Sequence, residues 1–269
     1  MLTYPQIDPV IFSIGPLAVR WYGLTYMAGF LATWILGNYR AGRPERFQSP
    51  FNRAQFDDIM IWGIIGLILG ARLGYVLFYK PLFYLEYPKE ILAVWHGGMS
   101  FHGGLLGVLL ALWLAGRKRK VDFLRALDFF APLVPPGLFF GRIGNFINAE
   151  LWGRHTDAAW GMVFPVPEAG PFPRHPSQLY EAFLEGLLLF AVLWVFSSRP
   201  RGRGAVCGLG LLGYGLLRLF AEFFREPDRH LGFIFGGVAT MGMLLCLPMI
   251  LMGALLLWRG RASTIPCPR

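Results

Sequence analysis

Seven long apolar runs alternate with short polar connections along the chain, at roughly 17 to 37, 57 to 79, 98 to 115, 123 to 140, 177 to 197, 204 to 223 and 233 to 257. Each approaches the length of about 20 mainly apolar residues that a helix needs to cross a bilayer core. The fourth run contains Pro132, Pro135 and Pro136, which predict a kink or an early end. The pattern predicts an all-α polytopic membrane protein, a single integral membrane domain over residues 1–269 with about seven transmembrane helices.

Composition supports this fold and removes two other classes. With 55% hydrophobic and 15% charged residues, the chain falls outside the soluble range. A net charge of +9 in one patch would suggest nucleic acid. Here the basic residues lie between apolar stretches, so they report topology and no nucleic-acid partner is expected. Cys207, Cys246 and Cys267 show no spacing for a disulfide framework or a metal site and read as inert. Met1 to Gly15 lacks the basic region of a cleavable signal peptide, so the first run is expected to remain as a spanning helix.

Cations in short loops are retained on the cytoplasmic side during insertion. One set of loops carries Arg40, Arg43, Arg46 and Arg53, then Arg117, Lys118, Arg119 and Lys120, then Arg199, Arg201 and Arg203, then Arg259, Arg261 and Arg269. The opposite loops carry fewer cations and offset them with acids, as in Lys80, Glu86, Lys89 and Glu90, or Arg225, Glu226, Asp228 and Arg229. The N-terminus is therefore expected outside and the C-terminus in the cytoplasm. The longest connection, about 141–176, is then expected to form a small periplasmic head. Glycines at four-residue spacing, Gly66, Gly70 and Gly74, with Gly103 and Gly107, suit close helix packing in lipid. The chain shows no internal repeat, heptad array or nucleotide-binding signature.

On this topology the ionisable residues within the runs share the outer half. Arg20 and Tyr22 open the first run, Arg72 and Tyr75 close the second, and His102 opens the third. Arg142 and Asn145 follow the fourth, and Arg218 and Glu222 end the sixth. A charge near the bilayer centre costs about 2.5–3.5 kcal/mol on insertion scales and marks a bundle interior or a watery cavity. Arg72, Arg142 and Arg218 are offset chiefly by Glu222, so an anion is expected to complete the set. Guanidinium suits phosphate because its planar fork donates two parallel hydrogen bonds. Each element also has an ordinary reading: Arg20 as a snorkelling side chain, Arg218 and Glu222 as a structural i, i+4 pair, and His96, His155 and His230 as structural histidines. His102 differs because Gly103 and Gly104 beside it leave access to its ring.

Several blocks carry a family resemblance. FHGGLLG at 101–107 and GRIGNFINAELWGR at 141–154 resemble the signature of the prolipoprotein diacylglyceryl transferases. RHPSQLYEA at 174–182, RLFAEFFREPD at 218–228, RWYG at 20–23 and ARLGYVLFY at 71–79 are similar to further blocks of that family. The resemblance implies transfer of the diacylglyceryl group from phosphatidylglycerol to the lipobox cysteine thiol of a prolipoprotein signal peptide, with release of glycerol phosphate. The setting implied is the bacterial inner membrane, with the active site toward the periplasm and membrane lipids as neighbours. It puts Arg142 and Arg218 at the phosphatidylglycerol site and adds Tyr22, His102, Asn145, Glu150, Gly153 and Glu222.

The resulting expectation makes His102, Arg142, Arg218 and Glu222 catalytic. Tyr22, Arg72, Tyr75, Gly103, Gly104, Asn145, Glu150, Gly153 and Arg225 are substrate-binding. A thiol near pKa 8.5 is largely protonated at neutral pH. His102 is the candidate base, with a positive field from the arginines as the alternative. No metal or cofactor is expected, because the phosphate ester and proximity already activate the substrates. Activity should then persist in excess chelator. The rival reading is an anion or lipid transporter with an outer-facing arginine-lined cavity.

Overall fold

The computed structural model of the chain describes residues 2–15, 17–227, 232–234 and 239–262. Asp228, Arg229, His230, Cys267 and Arg269 lie outside the described residues. Two compact units divide the chain, Asn38–Ala126 and a larger one made of Met1–Gly37 with Leu127–Arg269.

In the larger unit, β1 (Leu2–Thr3) pairs in parallel with β4 (Met162–Val163). β2 (Val10–Ile14) and β3 (Leu17–Arg20) form an antiparallel hairpin with Phe12 opposite Val19. The first helix, α1 (Trp21–Ala41), therefore starts at Trp21 and not near residue 17. The turn at Gly15 has φ +58°, a conformation that glycine adopts without a Cβ penalty.

Helices α6 (Phe123–Phe130) and α7 (Val134–Ile147) flank a tight helical turn at Ala131–Leu133. The prolines thus tighten the helix without ending it, and the run continues to Ile147 instead of stopping near 140. Tyr4 accounts for part of that extension. Its hydroxyl donates to the carbonyls of Phe146 and Ile147 in the last turn of α7. Tyr4 also packs with Ala149, Phe164 and Ala169 in a small core of its own beneath the segment after α7.

A second continuous run joins α8 (Ser177–Glu181), a π-helical stretch at Ala182–Leu188, and α9 (Leu189–Ser197). α10 (Ala205–Glu222) then packs against α11 (Met241–Ala262) through glycines. A methyl group on Gly208 would lie 2.6 Å from Leu257 N, and one on Gly215 2.7 Å from Ile250 Cγ1.

The smaller unit is built on α3 (Arg53–Phe78) and α5 (Phe101–Lys118). Asn52 and Gln55 form a reciprocal capping box at the start of α3. The predicted glycine packing appears here. A methyl on Gly66 would lie 2.6 Å from Gly107 O, and one on Gly74 2.8 Å from Gly103 Cα. Between these helices the chain forms α4 (Pro81–Glu86) and two short 3-10 turns, Pro88–Leu92 and Val94–His96. A short helix, α2 (Pro44–Phe47), precedes α3.

Among the described residues five helical runs are long and apolar enough to cross a membrane: Arg53–Phe78, Phe123–Ile147, Ser177–Ser197, Ala205–Glu222 and Met241–Arg261. The protein is thus mostly helical with the character of a multi-pass membrane protein. α1 and α5 occupy the other two predicted runs as helices of 21 and 18 residues. They are diluted by Thr25, Asn38 and Arg40 in α1, and by His102, Arg117 and Lys118 in α5.

Candidate active site

Three helical runs of the larger unit each send charged side chains to one place. α7 supplies Arg142 and Asn145, three residues apart on one face. α8 and the π-helical stretch supply Glu181 and Glu185, and the end of α10 supplies Arg218 and Glu222, with Arg225 just beyond. Arg142 Nε and Arg218 Nη1 both reach Glu181 Oε2 at 2.7 Å, so two guanidinium groups from different helices share one carboxylate oxygen. Arg218 also donates to Glu222 Oε1 at 2.5 Å and Glu185 Oε1 at 3.4 Å, while Arg142 Nη2 lies 3.8 Å from Glu185 Oε2. Arg225 Nη1 closes the set at 3.3 Å from Glu181 Oε1.

This corrects the expected charge imbalance. Arg142 and Arg218 are not held apart from counter-ions awaiting an anion: three guanidinium groups face three carboxylates. The acids overlooked are Glu181 and Glu185, which are 1% and 0% exposed. They stand one turn apart in the fifth apolar run, where a carboxylate is as costly as the arginines that were counted. That was the available signal. In a buried network of this kind, deleting one partner strands another charge at a cost of about 3–5 kcal/mol.

The surroundings hold each member in place. Thr240 Oγ1 donates to Glu222 Oε2 at 2.6 Å, and a methyl on Gly242 would lie 2.5 Å from Glu222 Oε1, so glycine leaves room for that carboxylate. Asn145 links inward and outward: its Oδ1 accepts from Arg142 Nη1 at 3.4 Å and its Nδ2 donates to Glu150 Oε1 at 2.7 Å. Gln178 Nε2 donates to Glu150 O at 2.6 Å, which ties the turn after α7 to α8. A methyl on Gly144 would lie 3.3 Å from Tyr22 Cδ2, so Tyr22 packs over α7 beside Asn145, with its hydroxyl 3.1 Å from that of Tyr26. Gly153 donates its N–H to His175 O at 2.9 Å and bridges to Arg225 along the backbone. Arg154 fastens the same junction by donating to the carbonyls of Arg225 at 2.9 Å and Glu222 at 3.1 Å. Of the residues expected in the larger unit, Arg142, Arg218, Glu222, Arg225 and Asn145 meet directly. Glu150, Gly153 and Tyr22 form the next layer.

The other expected residues belong to the smaller unit. Arg72 is buried, and its guanidinium donates to five backbone carbonyls: Ile91 at 2.9 Å, Glu90 at 2.5 Å, Ala93 and Gly98 at 3.1 Å, and Gly97. Gly97 and Gly98, at φ +80° and +76°, turn the carbonyls of this segment toward it. Tyr75 packs against Gly98 and stacks on Tyr79 with ring centroids 5.2 Å apart. Gly103 and Gly104 serve the α3 contact, facing Gly74 and Leu67. His102 is exposed and its ring lies edge-on to Phe101; among the described residues it forms no hydrogen bond or ion pair. No group of three His, Cys, Asp or Glu side chains among the described residues is arranged to hold a metal ion.

Residues 9–259 match the family described as prolipoprotein diacylglyceryl transferase. The chain belongs to the prolipoprotein diacylglyceryl transferase family. Relatives named phosphatidylglycerol–prolipoprotein diacylglyceryl transferase confirm the membership over nearly the full length. The protein of Nitratidesulfovibrio vulgaris strain DP4 is 56% identical over 260 residues, covering 97% of each chain. That of Oleidesulfovibrio alaskensis is 57% identical over 256 residues, covering 95% of this chain and 94% of its own. That of Nitrosomonas europaea is 56% identical over 268 residues, covering 99% and 95%. The matched span of this diacylglyceryl transferase family member includes every residue of the arginine–glutamate cluster.

Proposed function

We propose that this protein transfers the diacylglyceryl group of phosphatidylglycerol to the lipobox cysteine of prolipoproteins, the first step of bacterial lipoprotein maturation. The thiol sulfur attacks the glycerol carbon that bears the phosphate ester. A carbon–sulfur bond forms, the carbon–oxygen bond breaks, and glycerol phosphate leaves with the electron pair. Family membership decides between this reading and the anion transporter. The observation that carries the site assignment is the convergence of Arg142 and Arg218 on one oxygen of Glu181.

Glu181 aligns the two guanidinium planes and Glu185 holds their inner edge, so the arginines are preorganised for negative charge growing on the leaving phosphate. Such fixed donors gain strength in a low-dielectric, water-excluded site. Because the cluster is already balanced, an arriving phosphate displaces carboxylate contacts instead of filling an empty cationic hole. Glu222 orients Arg218 from the same helix. Asn145, Glu150, Tyr22 and Gly153 shape the lipid site around them, and Arg225 steadies Glu181. His102 takes the thiol proton, with Gly103 and Gly104 beside it. Arg72, whose fork is occupied by carbonyls, acts by holding the 88–98 segment that carries Tyr75's packing partner Gly98.

The same reading places the protein in the bacterial inner membrane with seven spans, α1 and α5 joining the five apolar runs. Loop arginines favour an external N-terminus, a cytoplasmic C-terminus and a periplasmic head over about 141–176 within one integral domain. The test is reconstitution. Purified protein, phosphatidylglycerol and a lipobox peptide should yield a thioether-linked diacylglyceryl peptide by mass spectrometry. A peptide with serine at the cysteine position should yield none. Absence of product from the cysteine peptide would refute the assignment.

A further inference from the structure

Just beyond α7 the backbone takes a form that side chains rarely adopt. Ala149 has φ +53° and Leu151 φ +58°, so two non-glycine residues in the left-handed region flank Glu150. One left-handed residue commonly ends a helix, and it is usually glycine. Two non-glycine residues so close together are strained, and such strain persists only where the surrounding structure fixes it. The first is fixed locally. Ala149 N–H donates to Phe146 O at 2.9 Å and Glu150 N–H to Asn145 O at 3.0 Å, while buried Ala149 packs with Tyr4, Phe164 and Ala169. The second, Leu151, is 38% exposed and is held from another helix. Ser177 Oγ donates to Leu151 O at 3.0 Å and Gln178 Nε2 to Glu150 O at 2.6 Å, so the first two residues of α8 fasten two successive carbonyls of the turn.

The strained turn displays Glu150, whose Oε1 accepts from Asn145 Nδ2 at 2.7 Å, and Asn145 Oδ1 accepts from Arg142 Nη1 at 3.4 Å. The two tethers therefore end, through Glu150 and Asn145, on a guanidinium of the arginine–glutamate cluster. Gln178 itself is fully buried, and its Oε1 has no hydrogen-bond partner among the described residues. Reversing the amide would set Oε1 against the carbonyl oxygen of Glu150, so the bond to Glu150 fixes which end is left over. A buried acceptor without a partner is destabilising to about the extent that one hydrogen bond is stabilising. Folding alone thus gives Gln178 little advantage over an apolar side chain of similar length, and a local rule broken in this way is expected at a functional site.

We propose that Ser177 and Gln178 are positioning residues for the transfer reaction: they hold the strained turn so that Glu150 keeps the Asn145 amide aimed at Arg142. Both act through Glu150, and the inference rests on the phosphate role given to Arg142 above. Without the tethers the turn relaxes at Leu151, the Glu150 carboxylate draws back from Asn145, and Asn145 no longer steadies the guanidinium that meets the leaving phosphate.

The test reads conformation and rate separately in the full chain bearing Gln178→Met, which keeps the side-chain length and removes both amide atoms. Hydrogen exchange followed by mass spectrometry should be faster in peptides spanning residues 148–153 and unchanged in the body of α7. The melting temperature should stay within about 3 °C of the unaltered protein, because a lost hydrogen bond and a lost unpaired acceptor offset each other. With phosphatidylglycerol and a lipobox peptide, kcat should fall about tenfold, in line with the sensitivity of catalysis to small misplacements. KM for phosphatidylglycerol should stay within about twofold, the split expected when a contact of the transition state alone is weakened. In a Glu150→Ala background the same substitution should lower kcat by no more than about twofold, since its route to Arg142 is already broken. Leu151→Gly, which accepts the left-handed conformation freely, should restore at least about half of the kcat lost in Gln178→Met. Unchanged exchange at 148–153 would overturn the proposal, as would a kcat loss that persists undiminished in the Glu150→Ala background. A large fall in melting temperature, or loss of folded protein, with normal kcat in whatever remains folded would make Gln178 structural only and overturn it as well. Absence of product from the unaltered protein would instead defeat the transferase reading, and the exchange result would still decide whether the tethers hold the turn.

Discussion

Two regions of this protein bury arginine in opposite ways. In the smaller unit Arg72 satisfies its fork on five neutral carbonyls of a single loop. In the larger unit Arg142 and Arg218 share a carboxylate that arrives from a third helix. Carbonyls leave the full positive charge on Arg72 but use up its donors, so its work is to hold a loop. Carboxylates neutralise Arg142 and Arg218 but can be exchanged for another anion of similar geometry, so these two are suited to meet a phosphate. The lesson is that a buried arginine's role is read from what its hydrogen bonds go to, not from its depth.

Substitutions that separate charge from donor geometry break this comparison most sharply. Arg218→Lys keeps the charge and loses the planar fork. It should lower kcat/KM for transfer by about 10²–10³, the usual cost of removing a preorganised donor, with most of the folded protein retained by size-exclusion chromatography. Near-normal activity would mean that only the charge matters. Glu181→Gln comes next, because it removes the oxygen that both arginines share. It should cut kcat at least about tenfold, whereas Glu185→Gln, which touches the same arginines at longer range, should have the smaller effect. Each is read from initial rates across phosphatidylglycerol concentrations. An equal loss in the two variants would remove the shared oxygen from its central role.

Arg72→Lys should show the reverse profile. Three ammonium protons cannot reach five carbonyls, and hydrogen bonds to charged groups are worth about 1.5–3 kcal/mol each. Thermal stability should fall by several degrees while kcat of the remaining folded protein stays within about threefold. A large kcat loss without destabilisation would return Arg72 to the substrate site.

The smallest effect concerns pH. Burial holds the His175 imidazole below its ordinary pKa, favouring the neutral ring. The unfolded chain therefore takes up the proton first as pH falls below about 6.5. Stability should decline in that direction, and His175→Asn should flatten this part of a melting-temperature profile between pH 7.5 and 5.5.

Much of the helical layout was legible in the chain, since apolar runs and prolines report directly on solvation and backbone hydrogen bonding. The glycines of α3 and α5 were legible for the same reason, because their spacing maps onto a helix face. Three features were not. Residues 17–20 read as helix because they are apolar, yet pairing of Phe12 with Val19 makes them a strand. The end of α7 read as loop because of its glycines and polar residues, but Tyr4 caps it from more than 140 residues away and Arg142 and Asn145 find partners there. Glu181 and Glu185 escaped notice because their partners lie on other helices, and only packing shows that α7, the π-helical stretch and α10 meet. The arginines were found by their cost; their counter-ions are a property of the fold.

The central claim is that Arg142 and Arg218 act as one unit through Glu181. A double-mutant cycle on kcat/KM with Arg142→Gln, Arg218→Gln and both together tests it most directly. The account predicts that the double variant is about as impaired as the worse single variant. Losses that simply multiply would contradict it, leaving two arginines that act independently.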